Sequence, residues 1–312
     1  MRILRGLESF PPELRPTVVA LGAFDGIHLA HAKIIRTAVE RAAALGLRSV
    51  VSTFDPHPMA VLRPDRPHEP IATAEENLRR IGECGPDATV VIPFTLELSR
   101  MEAEDFVERI LLGALGAREV VVGYNHTFGR GARGTAALLK DLGERLGFAT
   151  RVLPPLQVQG QTVSSTAIRE ALRDGDVETA GALLGRPYAL AGTVLRGAGR
   201  GRSLGFPTAN LRPDRPLLLA AGVYAARARW DGEDGEAVVN VGYRPTFGED
   251  QYWVEAYVFD FAGDLYERGL VVEFLHRIRP EMKFSGVDAL KRQVAADMET
   301  ARRLLASRRP DR

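Results

Sequence analysis

The chain has 312 residues, which is enough for about two domains at roughly 150 residues each. Hydrophobic residues make up 45% and charged residues 26%, as is typical of globular proteins. The 41 basic and 40 acidic side chains leave a net charge of +1. This balance provides no overall field for nucleic acid or an anionic membrane, so any anionic ligand must be held by a local site.

The cysteine content and the N-terminal segment exclude further classes of protein. Cys84 is the only cysteine, which excludes an intrachain disulfide and a multi-cysteine metal site. The first residues lack the long apolar stretch of a signal peptide, and no run approaches the ~20 apolar residues of a membrane span. We therefore expect a cytoplasmic enzyme that binds neither nucleic acid nor membranes, and the sequence leaves a homo-oligomer open.

The segment Leu21–His31 predicts a strand, a glycine loop and the start of a helix. An apolar β-type run precedes it, Gly22 and Gly26 break that run, and a helical pattern follows. Glycines let the backbone approach a ligand closely, and free N–H groups at a helix start favour an anion. His28 and His31 lie one turn apart and can both face that anion. Two histidines satisfied within a turn are the simpler alternative, but the glycine loop favours a phosphate site.

The first half of the chain alternates short β-branched runs with longer helical patterns. This alternation predicts a parallel sheet with helices on both faces, in which ligands bind beyond the carboxyl ends of the strands. The predicted strands are 17–21, 49–53, 89–92, 119–122 and 149–153, and the predicted helices are about 30–45, 74–83, 103–112 and 135–146.

Glycine- and proline-marked loops follow several of these strands, among them Phe54–Pro58 and Gly123–Gly129. The segment Gly129–Gly134 matches the G-x-G-x-x-G dinucleotide pattern and precedes a helix. The acidic residue expected about 20 positions further on is missing, which argues against a dinucleotide site.

The segment Ser164–Arg169 opens the next predicted helix. An ordinary N-cap with polar neighbours would explain Ser164, Ser165 and Thr166 on their own. Together with Arg169 one turn further on, these hydroxyls and helix N–H groups also suit a triphosphate.

From about residue 185 the pattern changes to β-rich runs separated by glycine turns. Because no long helix intervenes before residues 287–305, the pattern predicts a small antiparallel β-barrel closed by a C-terminal helix. The predicted strands are 188–195, 223–230, 237–241, 253–259 and 270–275. A helical pattern over 177–184 ends the first half, so we expect an α/β chain with domains 1–184 and 185–312.

The chemistry of the second half concentrates in the segment Gly197–Leu211. Its glycine- and arginine-rich part could be a solvated linker, but it ends in Phe206-Pro-Thr-Ala-Asn-Leu211, a compact element with apolar anchors. Thr208 and Asn210 place two hard oxygen ligands on one side of an extended segment, as Mg²⁺ accepts. A flexible loop beside magnesium ligands indicates phosphoryl transfer from ATP.

The motifs of the first half resemble, in order, the adenylylating module of the bacterial bifunctional riboflavin kinase/FAD synthetases. They are 22–31 (G-x-F-D-G-x-H-x-x-H), 53–58 (T-F-x-P-H-P), 125–129 and 164–169 (S-S-T-x-I-R). The resemblance implies a nucleotidyltransferase fold that transfers AMP from ATP to FMN. It assigns the ATP phosphates to His28, His31, Ser164, Ser165, Thr166 and Arg169, and further nucleotide contacts to Gly22, Phe24, Asp25, Gly26 and Asn125.

The second half resembles the riboflavin kinase module of the same family. The matching segments are 201–211, 222–225, 240–247, 254–256, 264–266 and 279–284. The resemblance implies that Thr208 and Asn210 act at the metal and phosphates, that Gly199, Gly201, Arg202 and Gly205 belong to the ATP loop, and that Glu255 is the base for the 5′-hydroxyl of riboflavin. An outward glutamate on an alternating strand would also explain Glu255 without any function.

Three positions depart from the family pattern. Ala30 replaces the glycine of H-x-G-H, His126 replaces a phenylalanine, and Glu267 replaces the glycine of Asp-Leu-Tyr-Gly. The added methyl of Ala30 requires a negative φ.

The sequence is therefore compatible with three functions. The first is a bifunctional enzyme that converts riboflavin to FMN and FMN to FAD with ATP and Mg²⁺. The second is a riboflavin kinase whose first module has become a nucleotide- or flavin-binding regulatory domain. The third, a nucleotidyltransferase acting on a pantetheine or pyridine nucleotide, leaves residues 186–312 unexplained.

Overall fold

The computed structural model describes residues 1–8, 10–66, 68–196, 206–246 and 249–306. These residues form two compact units, Met1–Ser165 and Thr166–Arg312.

The first unit is built on a six-stranded parallel sheet with the strand order β1-β4-β3-β2-β5-β8. Two further pairs, β6 with β7 and β9 with β10, are short and antiparallel. The strands are β1 (Arg2–Arg5), β2 (Thr17–Leu21), β3 (Arg48–Asp55), β4 (Ala88–Pro93), β5 (Ala117–Gly123), β6 (Thr127–Phe128), β7 (Gly134–Thr135), β8 (Ala149–Leu153), β9 (Gln157–Val158) and β10 (Gln161–Thr162).

Helices connect the parallel strands. They are α1 (Leu29–Leu45), α2 (Pro58–Leu62), α3 (Ala74–Gly82), α4 (Leu96–Ser99), α5 (Ala103–Asp105), a π-helical stretch Phe106–Ala114, and α6 (Ala136–Leu146). Their ends follow local chemistry: Thr73 and Thr135 accept backbone N–H bonds at the starts of α3 and α6. Gly46 and Gly147 end α1 and α6 in the left-handed conformation that glycine favours.

The sheet of the first unit is buried on both faces. Consecutive residues of β2 alternate between two apolar clusters, with Val19 and Leu21 in one and Val18 and Ala20 in the other. A strand buried on both faces needs a continuous apolar run, which is why 17–21 is recognisable in the sequence.

The second unit is a closed six-stranded barrel in which every strand pair is antiparallel, in the order β11-β12-β15-β14-β13-β16. Two helices precede the barrel and one follows it. In chain order the elements are α7 (Ser165–Asp174), α8 (Val177–Leu184), β11 (Tyr188–Leu195), β12 (Ala209–Pro213), β13 (Gly222–Trp230), β14 (Glu233–Thr246), β15 (Glu249–Val258), β16 (Gly269–Pro280) and α9 (Val287–Ala306).

Helix α9 packs on the outside of the barrel. Its Ala301 and Leu305 join a buried cluster with Val223, Val238 and other barrel residues. The carboxylate of Asp297, also on α9, is buried and accepts three hydrogen bonds of 2.7–3.1 Å from the guanidinium of Arg279.

The predicted fold class is confirmed in both units. The predicted barrel and its closing helix are present, and the helix over 177–184 has the predicted bounds. Two strands differ from the prediction: β1, with only four residues at the edge of the sheet, was not predicted, and β12 was predicted only as an extended segment without a partner strand. Within the described ranges, no helix combines the length and the apolar character needed to cross a membrane.

Candidate functional site

The loop after β2 leads directly into α1, as the glycine pattern predicts. Gly26 has a φ of +79°, and a β-carbon there would lie 2.7 Å from Ile71 Cγ2, so the position requires glycine. Its neighbours Phe24 and Ile27 also have positive φ, at 38° and 37°. Ala30 lies in the first turn of α1, where φ is negative, so its methyl is compatible with the backbone.

His28 and His31 come together at the start of α1. His28 is buried and is the N-cap residue, because its Nδ1 accepts the backbone N–H of His31 at 3.2 Å. The two imidazoles stack with their centroids 3.6 Å apart, and the ring of Phe24 meets His31 edge-on at 5.2 Å. The expected pairing of the two histidines at a helix start is therefore present.

Asp25 has a structural partner that the sequence analysis did not anticipate. Its buried carboxylate accepts the backbone N–H groups of Ile71 and Ala72 at 3.1–3.3 Å. Gly26 N–H donates to Asn77 Oδ1 on α3 at 2.8 Å. These bonds tie the loop after β2 to the segment that precedes and enters α3.

A second pair of stacked histidines lies near Asp25. His57 caps α2 through Nδ1, which accepts the backbone N–H of Met59. Its ring stacks on that of His68 with centroids 4.0 Å apart, and His68 Nε2 lies 3.9 Å from Asp25 Oδ2. His57 belongs to the motif 53–58, whereas His68 was not predicted, because no local pattern distinguishes it.

The loop after β5 holds Asn125 and His126. Asn125 is exposed, beside the end of the strand. The His126 ring stacks on Phe128 with centroids 5.8 Å apart, and its Nε2 is buried without a hydrogen-bond partner. Burial lowers the pKa of His126 to about 4, so this imidazole is neutral at pH 7 and substitutes for an aromatic ring.

The segment Ser164–Arg169 forms the start of α7. Ser165 is the first helical residue and the last residue of the first unit, and its Oγ donates to the backbone oxygen of Asp25 at 3.4 Å. Ser164 is half-buried. Thr166 is exposed, and Arg169 is half-buried one turn further along the helix.

In the barrel, Asn210, Glu255 and Asn240 form one row across three strands. Asn210 on β12 is directly opposite Glu255 on β15, and Glu255 is directly opposite Asn240 on β14. Asn210 is only 9% exposed, whereas Glu255 and Asn240 are half-buried. Thr208, also half-buried, lies just before β12. Strand pairing thus places Asn210 and Glu255 side by side, although they are 45 positions apart in the sequence.

The row lies on the outer face of the barrel. On either side of Glu255, Val254 and Ala256 are buried in the interior with 0% and 1% exposure. Near the row, a β-carbon on Gly242 would lie 3.1 Å from Glu281 Oε1 and 3.8 Å from Asn240 Nδ2. The bare glycine therefore leaves space next to the amide of Asn240.

Four predicted loop residues, Gly199, Gly201, Arg202 and Gly205, lie outside the described residues. Within the described part of the chain, no group of three or more His, Cys, Asp and Glu side chains is placed to hold a metal ion.

Comparison with known protein families defines the class of this chain. Residues 10–167 match the FAD synthetase family profile, and residues 184–305 match the riboflavin kinase profile. The first match covers the parallel-sheet unit with the histidine pair, and the second covers the barrel with the Asn210, Glu255 and Asn240 row. The protein is thus a two-module transferase.

Curated relatives extend over nearly the whole chain. A bifunctional riboflavin kinase/FMN adenylyltransferase of Pseudomonas fluorescens is 38% identical over 98% of both chains. Enzymes of the same name from Bacillus subtilis and Escherichia coli K12 are 37% and 32% identical, covering 95% and 99% of this chain and 95% and 100% of their own lengths. The chain belongs to the bifunctional riboflavin kinase/FMN adenylyltransferase family, as its motifs predict.

A solved structure has the same fold. It is titled a macrolide-efflux protein from Streptococcus pneumoniae, and it is 32% identical with a TM-score of 0.87, covering 97% of this chain and 99% of that chain.

Proposed function

We propose that this chain phosphorylates riboflavin to FMN with one ATP and then adenylylates FMN to FAD with a second ATP, releasing pyrophosphate. The observation that carries this proposal is the match of separate FAD synthetase and riboflavin kinase profiles to the two halves. The substrates are riboflavin, FMN and ATP. We assign the kinase to the domain 185–312 and the adenylyltransferase to the domain 1–184.

In the kinase module, Glu255 is the general base. Its carboxylate takes the proton of the ribityl 5′-hydroxyl while that oxygen attacks the γ-phosphorus of ATP, and ADP leaves. The half-buried position of Glu255 on the outer face of the barrel supports this role, because a base must be reachable by substrate. Asn210, directly opposite, and Thr208 are assigned to the ATP phosphates.

Enzymes of both kinds generally require a divalent metal ion, and we propose Mg²⁺ here. The available donors fit it, because Thr208 supplies a hydroxyl oxygen and the buried Asn210 an amide oxygen, both hard ligands. Two neutral protein oxygens leave the remaining positions to water and phosphate. When bound, the ion neutralises charge on the transferring phosphoryl group.

In the adenylyltransferase module, the FMN phosphate attacks the α-phosphorus of ATP directly, without a covalent enzyme intermediate. His28, His31, Arg169 and the N–H groups at the helix starts align and stabilise the phosphates. The stacked pair supports this assignment, since both imidazoles lie together at the N-terminus of α1. We assign further nucleotide contacts to Gly22, Phe24, Asp25, Gly26, Asn125, Ser164, Ser165 and Thr166.

Both reactions consume ATP, so we propose a cytoplasmic location.

Incubation of the purified chain with riboflavin, ATP and MgCl₂, followed by separation of the flavins, tests the proposal. FAD is the expected product. FMN alone would favour the kinase with a regulatory first module, and unchanged riboflavin would contradict both functions. Replacing MgCl₂ with EDTA should abolish both products. In the same assay, Glu255→Gln should stop FMN formation while supplied FMN is still converted to FAD.

A further inference from the structure

We infer that Asp297 on α9 is a positioning residue for riboflavin phosphorylation. Through Arg279 it fixes the chain after β16, so that the carboxylate of Glu281 lies on the outer face of the barrel and accepts hydrogen bonds from the ribityl hydroxyls of riboflavin. This role rests on the proposed function of the second unit as a riboflavin kinase. It gives a task to a buried carboxylate that the phosphoryl-transfer step itself does not use.

The ion pair of Asp297 with Arg279 joins helix α9 to the end of β16. Asp297 is only 4% exposed, and its two oxygens accept Nε and Nη2 of Arg279 at 2.7–3.1 Å. Gln293 Nε2, one turn earlier on α9, donates to the same carboxylate at 2.9 Å. A guanidinium that binds a carboxylate through two nitrogens has a well-defined orientation. The pair therefore fixes the position of Arg279 relative to the helix.

Arg279 transmits this constraint to the segment 280–284. Its Nη1 donates to the backbone oxygen of Pro280 at 3.0 Å, and its guanidinium carbon lies 5.7 Å from the centroid of the Phe284 ring. One side chain thus contacts both the first and the last residue of the five-residue segment that contains Glu281. The conformation of this segment consequently depends on the carboxylate that holds the guanidinium in place.

The side chain of Glu281 reaches across β13 to β14. Pro280, the last residue of β16, is opposite Gly222 on β13, and Gly222 is opposite Val241 on β14. Glu281 Oε1 lies 3.1 Å from the position that a β-carbon on Gly242 would occupy. The carboxylate therefore covers a glycine of the second strand along, where the missing side chain leaves space for it.

This position is on the same face of the barrel as the proposed base. Gly242 and Asn240 are two residues apart on β14 and share a face, and Asn240 Nδ2 lies 3.8 Å from the same β-carbon position. Asn240 is directly opposite Glu255. Glu281 is exposed, so a substrate can reach it. A riboflavin whose 5′-hydroxyl lies at Glu255 brings its other ribityl hydroxyls along this face, and hydroxyls donate to a carboxylate.

A contact of this kind affects the binding of riboflavin more than the transfer step. Loss of a hydrogen bond to a charged group weakens binding on the order of 10- to 100-fold. When the contact is equally strong in the ground state and the transition state, its loss raises KM and leaves kcat unchanged. A variant that is only partly folded instead has a lower apparent kcat and a normal KM. The KM for riboflavin therefore separates positioning from stability.

Steady-state kinetics of riboflavin phosphorylation by the full chain test this role with Glu281→Ala, Asp297→Asn and the double variant. We expect the KM for riboflavin to rise about 10-fold in each single variant and no further in the double variant, because Asp297 acts through Glu281. The KM for ATP should stay within about twofold of wild type. Asp260→Asn is the matched control, because it breaks an exposed ion pair with Arg302 on the same helix, and it should keep both KM values.

The melting temperature, followed by tryptophan fluorescence, checks the folding of the second unit, which contains both tryptophans. If Asp297→Asn does not fold, Arg279→Lys replaces it. Lysine keeps the positive charge beside Asp297 but loses the second arm that holds the backbone oxygen of Pro280, so the KM for riboflavin should rise here too.

Three results would overturn the inference: an unchanged KM for riboflavin in Glu281→Ala, a lower kcat with a normal KM in Asp297→Asn, or single effects that multiply in the double variant. Each of these requires an active wild-type chain. A wild-type chain that does not phosphorylate riboflavin would instead contradict the proposed function, and the inference with it.

Discussion

Asn210 on β12 and Glu255 on β15 are directly opposite each other in the barrel, so the proposed phosphate ligand and the proposed base share one outer face. Both residues lie in the second unit, so a substitution at either should remove the kinase activity without affecting the first module.

Asn210→Ala should lower the rate of riboflavin phosphorylation by about 100-fold or more, because a buried polar ligand to the phosphates is lost. Supplied FMN should still be converted to FAD at the wild-type rate. Arg227→Ala, at an exposed position of β13, is the control and should change neither activity. Retention of full riboflavin phosphorylation in Asn210→Ala would show that the site is elsewhere.

The histidine pair predicts the reverse separation. His31→Ala removes one of two stacked imidazoles at the start of α1, so FAD formation from FMN should fall about 100-fold. Riboflavin phosphorylation should be unaffected. Lys33→Ala, two residues further along the same helix and exposed, is the matched control. Equal FAD formation by His31→Ala and Lys33→Ala would rule out His31 as a phosphate ligand.

Glu267 predicts a stabilising substitution. Its φ of +64° lies in the left-handed region, where a side chain other than glycine costs about 1–2 kcal/mol. Glycine loses more conformational entropy on folding than glutamate does, which offsets part of this gain. Glu267→Gly should therefore raise the free energy of unfolding of the second unit by up to about 1 kcal/mol. Both tryptophans, Trp230 and Trp253, lie in that unit, so urea denaturation followed by tryptophan fluorescence measures it.

Glu267→Ala separates backbone strain from charge. It removes the carboxylate but keeps the β-carbon, so it should leave the stability close to wild type. If alanine stabilised as much as glycine, the gain would come from loss of the negative charge and not from φ.

The low pKa of His126 predicts that the folded chain loses stability in acid. Burial holds its pKa at about 4, whereas an unfolded histidine has a pKa of 6.5. Between these values the unfolded chain binds a proton that the folded chain does not, so stability falls as the pH decreases through this window. The effect is up to about 3 kcal/mol and is complete below the folded pKa.

Thermal denaturation across that pH window, followed by circular dichroism, measures the effect. His126→Phe should flatten the pH dependence and also stabilise the first unit at neutral pH, because it removes a buried nitrogen without a partner. Tyr124→Phe, at an exposed neighbouring position, should keep the wild-type dependence. An equally steep loss in His126→Phe would assign the acid sensitivity to other groups.

Local patterns in the sequence predicted most of the fold. Strand β2 is a continuous apolar run because both of its faces are buried, and α1 begins where the glycine loop ends. The short strand β1 escaped prediction because its two apolar residues, Ile3 and Leu4, are adjacent and flanked by arginines, a pattern without strand alternation. The strand is stabilised at the sheet edge by pairing with β4.

The site was less predictable, because its geometry depends on long-range pairing. Motifs identified Asn210 and Glu255 separately, but their opposition depends on strand register, which no single segment encodes. The same holds for Asn240 and for the contact of His68 with Asp25.

The Asp25 carboxylate has a consequence for how ATP would be received. Both of its oxygens accept backbone N–H groups from residues 71 and 72. Two loops separated by 46 positions are thereby immobilised before any nucleotide arrives. The entropy cost of ordering these loops is therefore part of the free energy of folding. A nucleotide that binds there does not have to order them, so its binding free energy is not reduced by that cost.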